Sequence, residues 1–300
     1  MEAVNQAIEL PVLSQRGVSL TLKREDLLFP LLSGNKYRKL KYNLEAARKE
    51  GFNTLLTFGG AFSNHIHATA MAGREYGFRT IGLIRGEELA QKPLNPTLAL
   101  ARENGMQLEF VSRTAYRRKS EPSFLEDLRE RFGRVFVLPE GGTNPLAVRG
   151  CEEILGDKDA GFSHICCPVG TGGTLAGLVR SAGRSQVVFG YPAVRAEGLE
   201  AELSSWIQGD HWKLIGAYHF GGYGKVSREL VDFINEFREA AGVPLDPVYT
   251  GKMVYGILEG VRRGTYPAGS QILAIHTGGL QGVAGMNMRL RKKNLPLLEL

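Results

Sequence analysis

Long apolar runs are missing from this chain of 300 residues. The longest such stretches, at residues 54–58 and 165–169, fall far short of the ~20 apolar residues that span a bilayer as a helix. Residues 1–17 also lack the basic start, apolar segment and small-residue cleavage site of a secretion signal. We therefore expect a soluble, cytoplasmic protein with no membrane span and no membrane partner.

Cysteine is scarce as well: there are three residues, and an odd number cannot form a complete set of disulfides. Cys166 and Cys167 are adjacent inside an apolar segment. Free cysteine behaves as a small hydrophobic residue when it is buried. The sequence therefore predicts unpaired thiols packed in the core, as is usual in a reducing compartment.

A strong charge surplus is also absent, since the formal net charge is +6, with 23% charged and 43% hydrophobic residues. The two basic clusters, at residues 117–119 and 291–293, are short, far apart and poor in aromatic neighbours. Nucleic-acid sites usually combine clustered cations with a recognisable binding motif. We therefore expect an ordinary globular protein without a nucleic-acid partner.

What the sequence does have is an alternation of short apolar runs with longer helical patterns, each run ending in a glycine-rich or polar turn. Most runs are unbroken, which is typical of strands in parallel sheets that helices cover on both faces. The pattern therefore predicts an α/β fold. The predicted strands are 54–58, 80–84, 107–111, 135–138, 164–169, 187–190, 213–217 and 271–275. The predicted helices are 36–49, 64–76, 96–103, 124–132, 146–155, 175–182 and 230–241.

The segment CCPVGTGGTLAG at 166–177 reads as a strand, a Gly/Thr turn and a helix. Glycines let the backbone approach a ligand, and the free N–H groups of a helix start favour an anion such as phosphate. A dinucleotide fingerprint would need its third glycine at Leu175, and no Walker A pattern is present. From the residues alone, a phosphate site and a plain tight turn both remain open.

The segment LLSGNKYRKLKYNL at 31–44 places Ser33 and Gly34 before a basic helix with Lys36 in its first turn. The positive end of a helix disfavours a cation by about 0.3–1 kcal/mol, so a lysine there suggests a compensating use. If Lys36 is desolvated, its neutral amine becomes available for imine formation. A solvated surface lysine is the other reading of the same residues.

Three further segments place polar side chains around glycine turns. At 57–77, Ser63 and Asn64 open a helix, where such residues commonly serve as caps. His65 and His67 are two apart on that helix and point in different directions, so we expect no metal site. The segments at 246–257 and 272–282 place hydroxyls before glycine-led helices, and each by itself is an ordinary turn.

Taken together and in order, these segments resemble the family of 1-aminocyclopropane-1-carboxylate (ACC) deaminase and D-cysteine desulfhydrase. That family belongs to the tryptophan-synthase-β-like, fold type II enzymes that depend on pyridoxal phosphate (PLP). The motifs that carry the resemblance are LKRED at 22–26, SGNKYRKL at 33–40, FSNH at 62–65, GTGGT at 170–174, VYTGK at 248–252 and HTGG at 276–279. The resemblance implies two open, twisted, mostly parallel sheets covered by helices. It also implies a large cofactor domain of residues 1–39 and 146–300, and a small domain of residues 40–145.

The resemblance also assigns roles to individual residues. Lys36 would hold the cofactor as a Schiff base and later move the α-proton of the substrate. Asn64 would contact the ring hydroxyl of PLP, and Ser63 with nearby backbone would hold the substrate carboxylate. Tyr249 would lie against the ring or near the leaving group, and Tyr223 is the candidate for a second active-site tyrosine. The phosphate would be bound by Thr171, Gly172, Gly173 and Thr174.

The reaction depends on the group that faces the ring nitrogen of PLP, because that group sets how strongly the cofactor withdraws electrons. The deaminases carry a glutamate and a leucine where this chain has Thr250 and Thr277. Neutral hydroxyls suit β-elimination of a good leaving group better than the opening of a cyclopropane ring. The resemblance therefore implies a D-cysteine desulfhydrase that forms pyruvate, ammonia and hydrogen sulfide.

Two alternatives remain open at this point: an ACC deaminase, and a non-catalytic binder of a phosphate ligand. Two positions depart from the family pattern: Phe62 stands where glutamine is common, and Tyr37 stands where threonine is common. We expect both side chains near a small amino-acid substrate. Members of the family are commonly homodimers, so a homodimer is expected.

Overall fold

The fold consists of two separate β-sheets that helices cover. The computed structural model describes residues 2–29, 32, 34–194 and 198–300. Ser33 of the predicted cofactor motif lies outside the described residues. The strands in this part of the chain are β1 (Asn5–Ile8), β2 (Ser19–Lys23), β3 (Thr54–Gly59), β4 (Arg79–Arg85), β5 (Met106–Val111), β6 (Phe136–Leu138), β7 (His164–Val169), β8 (Val187–Pro192), β9 (Trp212–Leu214) and β10 (Gln271–Ile275).

The helices connect these strands and lie against the faces of the sheets. Among the described residues they are α1 (Pro11–Gln15), α2 (Asn35–Lys49), α3 (Asn64–Tyr76), α4 (Pro96–Glu103), α5 (Arg113–Arg117), α6 (Pro122–Phe132), α7 (Pro145–Glu152), α8 (Gly173–Ser181), α9 (Leu199–Ser204), α10 (Arg228–Ala241), α11 (Thr250–Arg262) and α12 (Val283–Arg291). No helix in the described ranges is long and apolar enough to cross a membrane.

The larger sheet has six strands in the order β1-β2-β10-β7-β8-β9. Only β1 and β2 pair antiparallel, and every other neighbouring pair is parallel. The smaller sheet has the order β5-β4-β3-β6 and is parallel throughout. Strand β3 is buried at every position because helices cover both faces. The predicted α/β fold with two mostly parallel sheets is confirmed.

Helix boundaries in the chain coincide with local capping signals. Helix α3 begins after Ser63, whose Oγ accepts a hydrogen bond from the backbone N–H of Ile66 at 3.3 Å. It ends at Gly77, which has a left-handed φ of +74°. Helix α4 begins after Asn95, which caps it in the same way. Because these signals are local, the predicted bounds of α3 and α4 agree with the structure.

Two parts of the strand prediction were wrong or incomplete. The predicted strand 213–217 is wrong at its end, because β9 is an edge strand whose ladder stops at Leu214 and a 3₁₀ turn follows at Gly216–Tyr218. Strands β1 and β2 were not predicted. They are short, and β1 is partly polar, so pairing with their neighbours defines them better than their own pattern does.

The prediction of unpaired, buried thiols is confirmed, since Cys151, Cys166 and Cys167 are free and buried. The predicted domain limit between residues 39 and 40 falls inside α2. The amino-terminal part of that helix carries Lys36, and its later part packs Leu40 and Leu44 into the core beside the smaller sheet. The division into two domains stays a prediction.

The fold brings together the carboxyl ends of strands from both sheets. Strand β7 leads into the Gly/Thr turn at 170–172, β10 leads into Thr277, and β3 leads into Ser63. Ligand sites of open parallel sheets form at this edge, because the loops that follow the strands meet there. Helix α2 starts beside the same edge, since Asn35 donates its backbone N–H to the carbonyl of Thr277 at 3.3 Å.

Candidate active site

A pocket lies at this edge and gathers residues from seven separate segments of the chain. Of the residues predicted from the sequence, it brings together Lys36, Ser63, Asn64, Thr171, Gly172, Thr174, Tyr223, Tyr249 and Thr277. Gly173 and Thr250 are not part of its lining. The two residues that depart from the family pattern are not in this lining either. Phe62 lines a neighbouring cavity, and Tyr37 lines neither that cavity nor the pocket.

Two expectations about position, those for Thr250 and Tyr37, therefore need correction. Thr250 is fully buried and donates its hydroxyl to Oδ1 of Asp246 at 2.8 Å, so it stabilises the start of α11 instead of facing the pocket. Gly173 is buried in the first turn of α8 and can contribute only its backbone. Tyr37 stacks on Phe29 with ring centroids 4.0 Å apart, because one residue of α-helix turns it about 100° away from Lys36.

Lys36 is held in the first turn of α2, directly after a glycine that the packing requires. Gly34 has a φ of +73°, and a Cβ on it would stand 1.9 Å from the carbonyl oxygen of Thr277. The Nζ of Lys36 donates to Oδ1 of Asn35 at 3.3 Å. Asn35 in turn donates to Oγ1 of Thr174 at 2.7 Å. The lysine is thereby tied to the start of the helix that follows the Gly/Thr turn.

The surroundings of Lys36 favour its neutral form. Burial, together with the nearby charge of Lys39, lowers the pKa of its ammonium from 10.5 to about 7. Asp246 acts in the opposite direction, with a smaller effect. A neutral amine is the nucleophile that condenses with an aldehyde. The structure therefore supports the reading of Lys36 as a reactive amine.

Competitive labelling of the cofactor-free protein tests this reading. With a pKa of about 7, about half of the Lys36 amines are neutral at pH 7 and about a tenth at pH 6, against about one in three thousand at pH 7 for an unshifted lysine. Trace acetic anhydride acetylates neutral amines, so labelling at Lys36 should rise with pH and reach half its maximum near pH 7. Mass spectrometry reads each site, with exposed Lys158 as the dose reference. A half-point above pH 9 would contradict the low pKa.

Lys39 is a functional candidate that the sequence analysis did not single out. It lies three residues after Lys36 on the same face of α2, and this spacing could have identified it. Its Nζ donates to the carbonyl of Gly141 at 2.9 Å and to Oγ1 of Thr143 at 2.8 Å. It also donates to Oγ1 of Thr171 at 3.3 Å. Lys39 therefore adds a cation to the Gly/Thr turn.

The turn between β7 and α8 offers several donors to an anion. Gly172 is left-handed with φ of +79°, and a Cβ on it would stand 2.4 Å from Cδ2 of Leu203. No side chain caps α8, so the backbone N–H groups of its first turn face the pocket edge. The hydroxyls of Thr171 and Thr174 line the pocket. Together with Lys39 this set fits a phosphate dianion.

The FSNH segment opens α3 at the opposite wall of the pocket. The side chain of Ser63 caps that helix, as the simpler reading of the sequence expected. Asn64 lies close to Gly279, where an added Cβ would stand 2.9 Å from its Nδ2. His65 contacts Oγ1 of Thr57 through Nε2 at 2.8 Å, and its buried Nδ1 has no hydrogen-bond partner among the described residues. Burial lowers the pKa of His65 well below its usual value, so the ring is neutral.

Two tyrosines meet over the open side of the pocket. The rings of Tyr223 and Tyr249 lie edge to face, with centroids 6.1 Å apart. Burial raises the pKa of Tyr249 well above its usual value, and it also raises the pKa of Tyr223. Both phenols are therefore protonated at neutral pH. They can donate a hydrogen bond to a group that gains negative charge.

Lys252 holds the segment that carries Tyr223 and was also missed in the sequence. Its Nζ donates to the carbonyls of His219 and Gly222, each at 2.9 Å. Burial lowers the pKa of Lys252 to about 8. Because Lys252 lies on α11 close to Tyr249, these bonds fix the Tyr223 segment against that helix.

The fold and the pocket define an enzyme of the class that binds an aldehyde with a phosphate group through a lysine and a Gly/Thr turn. A family model described as "Pyridoxal-phosphate dependent enzyme" matches residues 2–278, and the chain belongs to this family. Its cofactor is pyridoxal phosphate, as the resemblance implied, and the fold type II assignment is confirmed. The non-catalytic alternative is thereby set aside.

Relatives narrow the group further. A provisionally named ACC deaminase of Thermotoga maritima is 35% identical, over 91% of this chain and 93% of its own length. The bifunctional D-cysteine desulfhydrase/ACC deaminase of Arabidopsis thaliana, named as mitochondrial, is 29% identical over 89% and 74%. The D-cysteine desulfhydrase of Yersinia pestis is 28% identical over 93% of each chain.

A solved structure described as an ACC deaminase homologue is similar over 97% of this chain and 94% of its own. Its TM-score is 0.81 and its sequence identity is 28%. The chain is therefore a PLP-dependent lyase of the group that holds ACC deaminases and D-cysteine desulfhydrases.

Proposed function

We propose that this enzyme catalyses β-elimination on D-cysteine and releases pyruvate, ammonia and hydrogen sulfide. The observation that carries the proposal is the lining of the cofactor pocket. Within residues 2–29, 32, 34–194 and 198–300, no aspartate or glutamate lines it, and the hydroxyl of Thr277 is available there. Without a carboxylate in the pocket, the ring nitrogen of PLP is not forced to hold a proton, so the cofactor withdraws electrons less strongly. This favours elimination of a good leaving group over the opening of a cyclopropane ring.

In the proposed mechanism, each group of pocket residues has its own role. When bound, PLP withdraws electrons from the Cα of the substrate. The amine of Lys36 takes the α-proton, for which its low pKa suits it. Thr171, Gly172, Gly173, Thr174 and Lys39 hold the phosphate. Asn64 would orient the cofactor ring by a hydrogen bond to the hydroxyl group of that ring.

The substrate itself is held by the other wall of the pocket. Ser63 and the neighbouring N–H groups at the start of α3 orient the substrate carboxylate, because a helix start favours an anion. Protonated Tyr249 and Tyr223 lie where the leaving sulfur gains charge, and each phenol can donate a hydrogen bond to it. Since hydrogen sulfide leaves as an anion before it is protonated, this donation lowers the barrier to elimination.

A substrate panel tests the proposal. Purified enzyme is assayed for keto-acid release with D-cysteine, L-cysteine and ACC. We expect kcat/KM for D-cysteine to exceed that for ACC by at least about tenfold, which corresponds to about 1.4 kcal/mol of barrier. A larger kcat/KM for ACC would favour the second candidate, ACC deamination, which the printed name of the Thermotoga relative supports.

A substitution at Thr277 tests the role of the missing carboxylate. Thr277→Asp introduces a carboxylate into the pocket, so the ratio of ACC to D-cysteine turnover should rise by about tenfold if protonation of the ring nitrogen decides the reaction. Thr277→Val keeps the shape without a charge and serves as the matched control. An unchanged ratio in Thr277→Asp, with cofactor still bound, would contradict the argument. Thr250 is unsuitable here, because a glutamate there would lie beside the carboxylate of Asp246.

Three further properties belong to the same proposal. We infer a homodimer from the resemblance, and sedimentation of the purified enzyme tests it. The cytoplasm is the proposed location, although the Arabidopsis relative is named as mitochondrial. The two-domain division at residues 39/40 and 145/146 likewise awaits a test, for example by limited proteolysis.

A further inference from the structure

A second cavity adjoins the cofactor pocket and has a volume of about 400 Å³. The two share Asn64, Tyr223 and Tyr249, so the cavity begins where the side chain of a bound amino acid would point. Phe62 and Met286 contribute apolar surface to its wall. The cavity therefore adjoins the residues that the proposed function places around the substrate.

Three arginines line this cavity, and two of them have no carboxylate partner among the described residues. Arg113 is paired with Glu88 at 2.8 Å. In the part of the chain that the structure describes, neither Arg85 nor Arg289 forms an ion pair or a hydrogen bond with another side chain. Their guanidinium groups lie over aromatic rings, 5.7 Å from the centroid of Tyr116 for Arg85 and 6.0 Å from that of Phe62 for Arg289.

The acidic groups near the cavity are already engaged. Asp246 is the carboxylate of its described lining, and it accepts hydrogen bonds from the backbone N–H groups of Val248, Tyr249 and Thr250. Glu140, close to the same region, is paired with Lys119 at 3.3 Å and accepts from the hydroxyl of Tyr116. Neither carboxylate neutralises Arg85 or Arg289.

The proposed function already provides hydrogen-bond donors for the cofactor phosphate and for the substrate α-carboxylate. Arg85 and Arg289 take part in neither set. The cofactor phosphate belongs to the Gly/Thr turn with Lys39, and the substrate α-carboxylate belongs to the start of α3. A cysteine side chain carries no group that two guanidiniums would bind. Arginine pairs with carboxylate, phosphate and similar oxyanions through two parallel hydrogen bonds, which is the strongest use of an unpaired guanidinium.

We propose that Arg85 and Arg289 bind an anionic group on the side chain of the substrate, so that the elimination proposed for D-cysteine extends to amino acids with an oxyanion at or beyond Cβ. This inference rests on the proposed β-elimination and names its substrate class. For a phosphate ester, the α-proton passes to Lys36 and the Cβ–O bond breaks. The phosphate leaves with the electron pair of that bond. The aminoacrylate that remains gains a proton at Cβ, and water hydrolyses the resulting imine to pyruvate and ammonia.

Kinetics with two serine esters test the substrate class. The substrates are O-phosphoserine and O-acetylserine, each in the enantiomer that the substrate panel selects. In both, the leaving group is bound to Cβ through oxygen, but phosphate carries more negative charge than the neutral acetyl ester. We expect kcat/KM to be at least about tenfold higher for O-phosphoserine, and Arg85→Gln and Arg289→Gln each to raise its KM by about tenfold. The same variants should raise KM for O-acetylserine by less than about threefold.

Arg113→Gln is the matched control, because Arg113 lines the same cavity but is already paired with Glu88. Its KM for O-phosphoserine should change by less than about twofold. Arg85→Lys and Arg289→Lys keep the charge without the planar fork and should fall between wild type and the glutamine variants. Equal effects of Arg85→Gln and Arg289→Gln on both esters would overturn the proposal.

Binding of a non-reactive analogue separates this inference from the proposed function. In 2-amino-4-phosphonobutyrate a methylene replaces the ester oxygen, so no leaving group departs. By calorimetry, the holoenzyme should bind it at least about tenfold more tightly than 2-aminobutyrate, and the double variant Arg85→Gln/Arg289→Gln should lose this difference. If no amino acid is turned over but the arginines still bind the phosphonate, the proposed β-elimination is refuted and the proposed anion site is supported. If D-cysteine is turned over but the phosphonate gains nothing, the anion site is overturned.

Discussion

Replacing Lys36 with alanine is expected to lower kcat by at least about a thousandfold, because in the proposed mechanism one amine both holds the cofactor and takes the α-proton. The variant should also lose the visible absorption of the bound cofactor. In the wild-type enzyme, borohydride reduction should fix the cofactor covalently to residue 36, and peptide mapping by mass spectrometry should recover it there. The Lys36→Ala enzyme should give no such adduct.

Lys252 supplies the matched control for this experiment. It is another buried lysine with a lowered pKa, about 8, but its amine donates to the carbonyls of His219 and Gly222 outside the pocket. Lys252→Met should therefore keep the visible band and the adduct on Lys36, while any change in kcat reports the placement of Tyr223. An adduct recovered on Lys39 or Lys252 in the wild-type enzyme would contradict the assignment of Lys36.

Replacing Lys39 with methionine is expected to raise the Kd for PLP by about a hundredfold, because one charged hydrogen bond to phosphate contributes about 1.5–3 kcal/mol. The amine of Lys39 contacts Thr171 and Thr143 at the Gly/Thr turn, which is the proposed phosphate site. Fluorescence titration of the cofactor-free protein with PLP measures the change. Titration with pyridoxal, which lacks the phosphate, should show a much smaller change.

Lys41 is the control on the same helix. Its amine is paired with Glu153 at 2.8 Å and lies outside the pocket lining. Lys41→Met should therefore alter the Kd for PLP by less than about twofold. If Lys39→Met weakens PLP and pyridoxal to the same extent, its effect is a general loss of structure, and its role at the phosphate is refuted.

Much of the fold could be predicted because its signals are local. Unbroken apolar runs such as the one in β7 indicate a strand covered on both faces, and the alternation with helices indicates parallel sheets. Ser63 and Gly77 delimit α3 by capping, which depends only on neighbouring residues. Strand β2 could not be predicted in this way, because its partner β10 lies some 250 residues later in the chain.

In the candidate site, too, features that depend on neighbouring residues could be predicted, whereas features that depend on distant contacts could not. Lys36, Ser63 and the Gly/Thr turn were identified because their motifs occur in order along the chain. Thr250 was assigned to the cofactor by its place in a motif, yet its hydroxyl belongs to Asp246. A motif specifies which residues follow one another, whereas the direction of each side chain depends on the helix that carries it. Tyr37 was misplaced for this reason.

The sequence by itself determined the α/β class, because periodicity and capping are properties of short segments, and the order of its motifs predicted the reactive lysine and the Gly/Thr turn. Only the tertiary structure decided that Lys39 joins this turn and that Thr277 and not Thr250 faces the pocket. It also decided that Arg85 and Arg289 line the second cavity with no acidic partner among the described residues. These facts depend on contacts between segments far apart in the chain. The low pKa of Lys36 has the same origin, since burial by residues from both sheets and from the loops after them removes water from its amine.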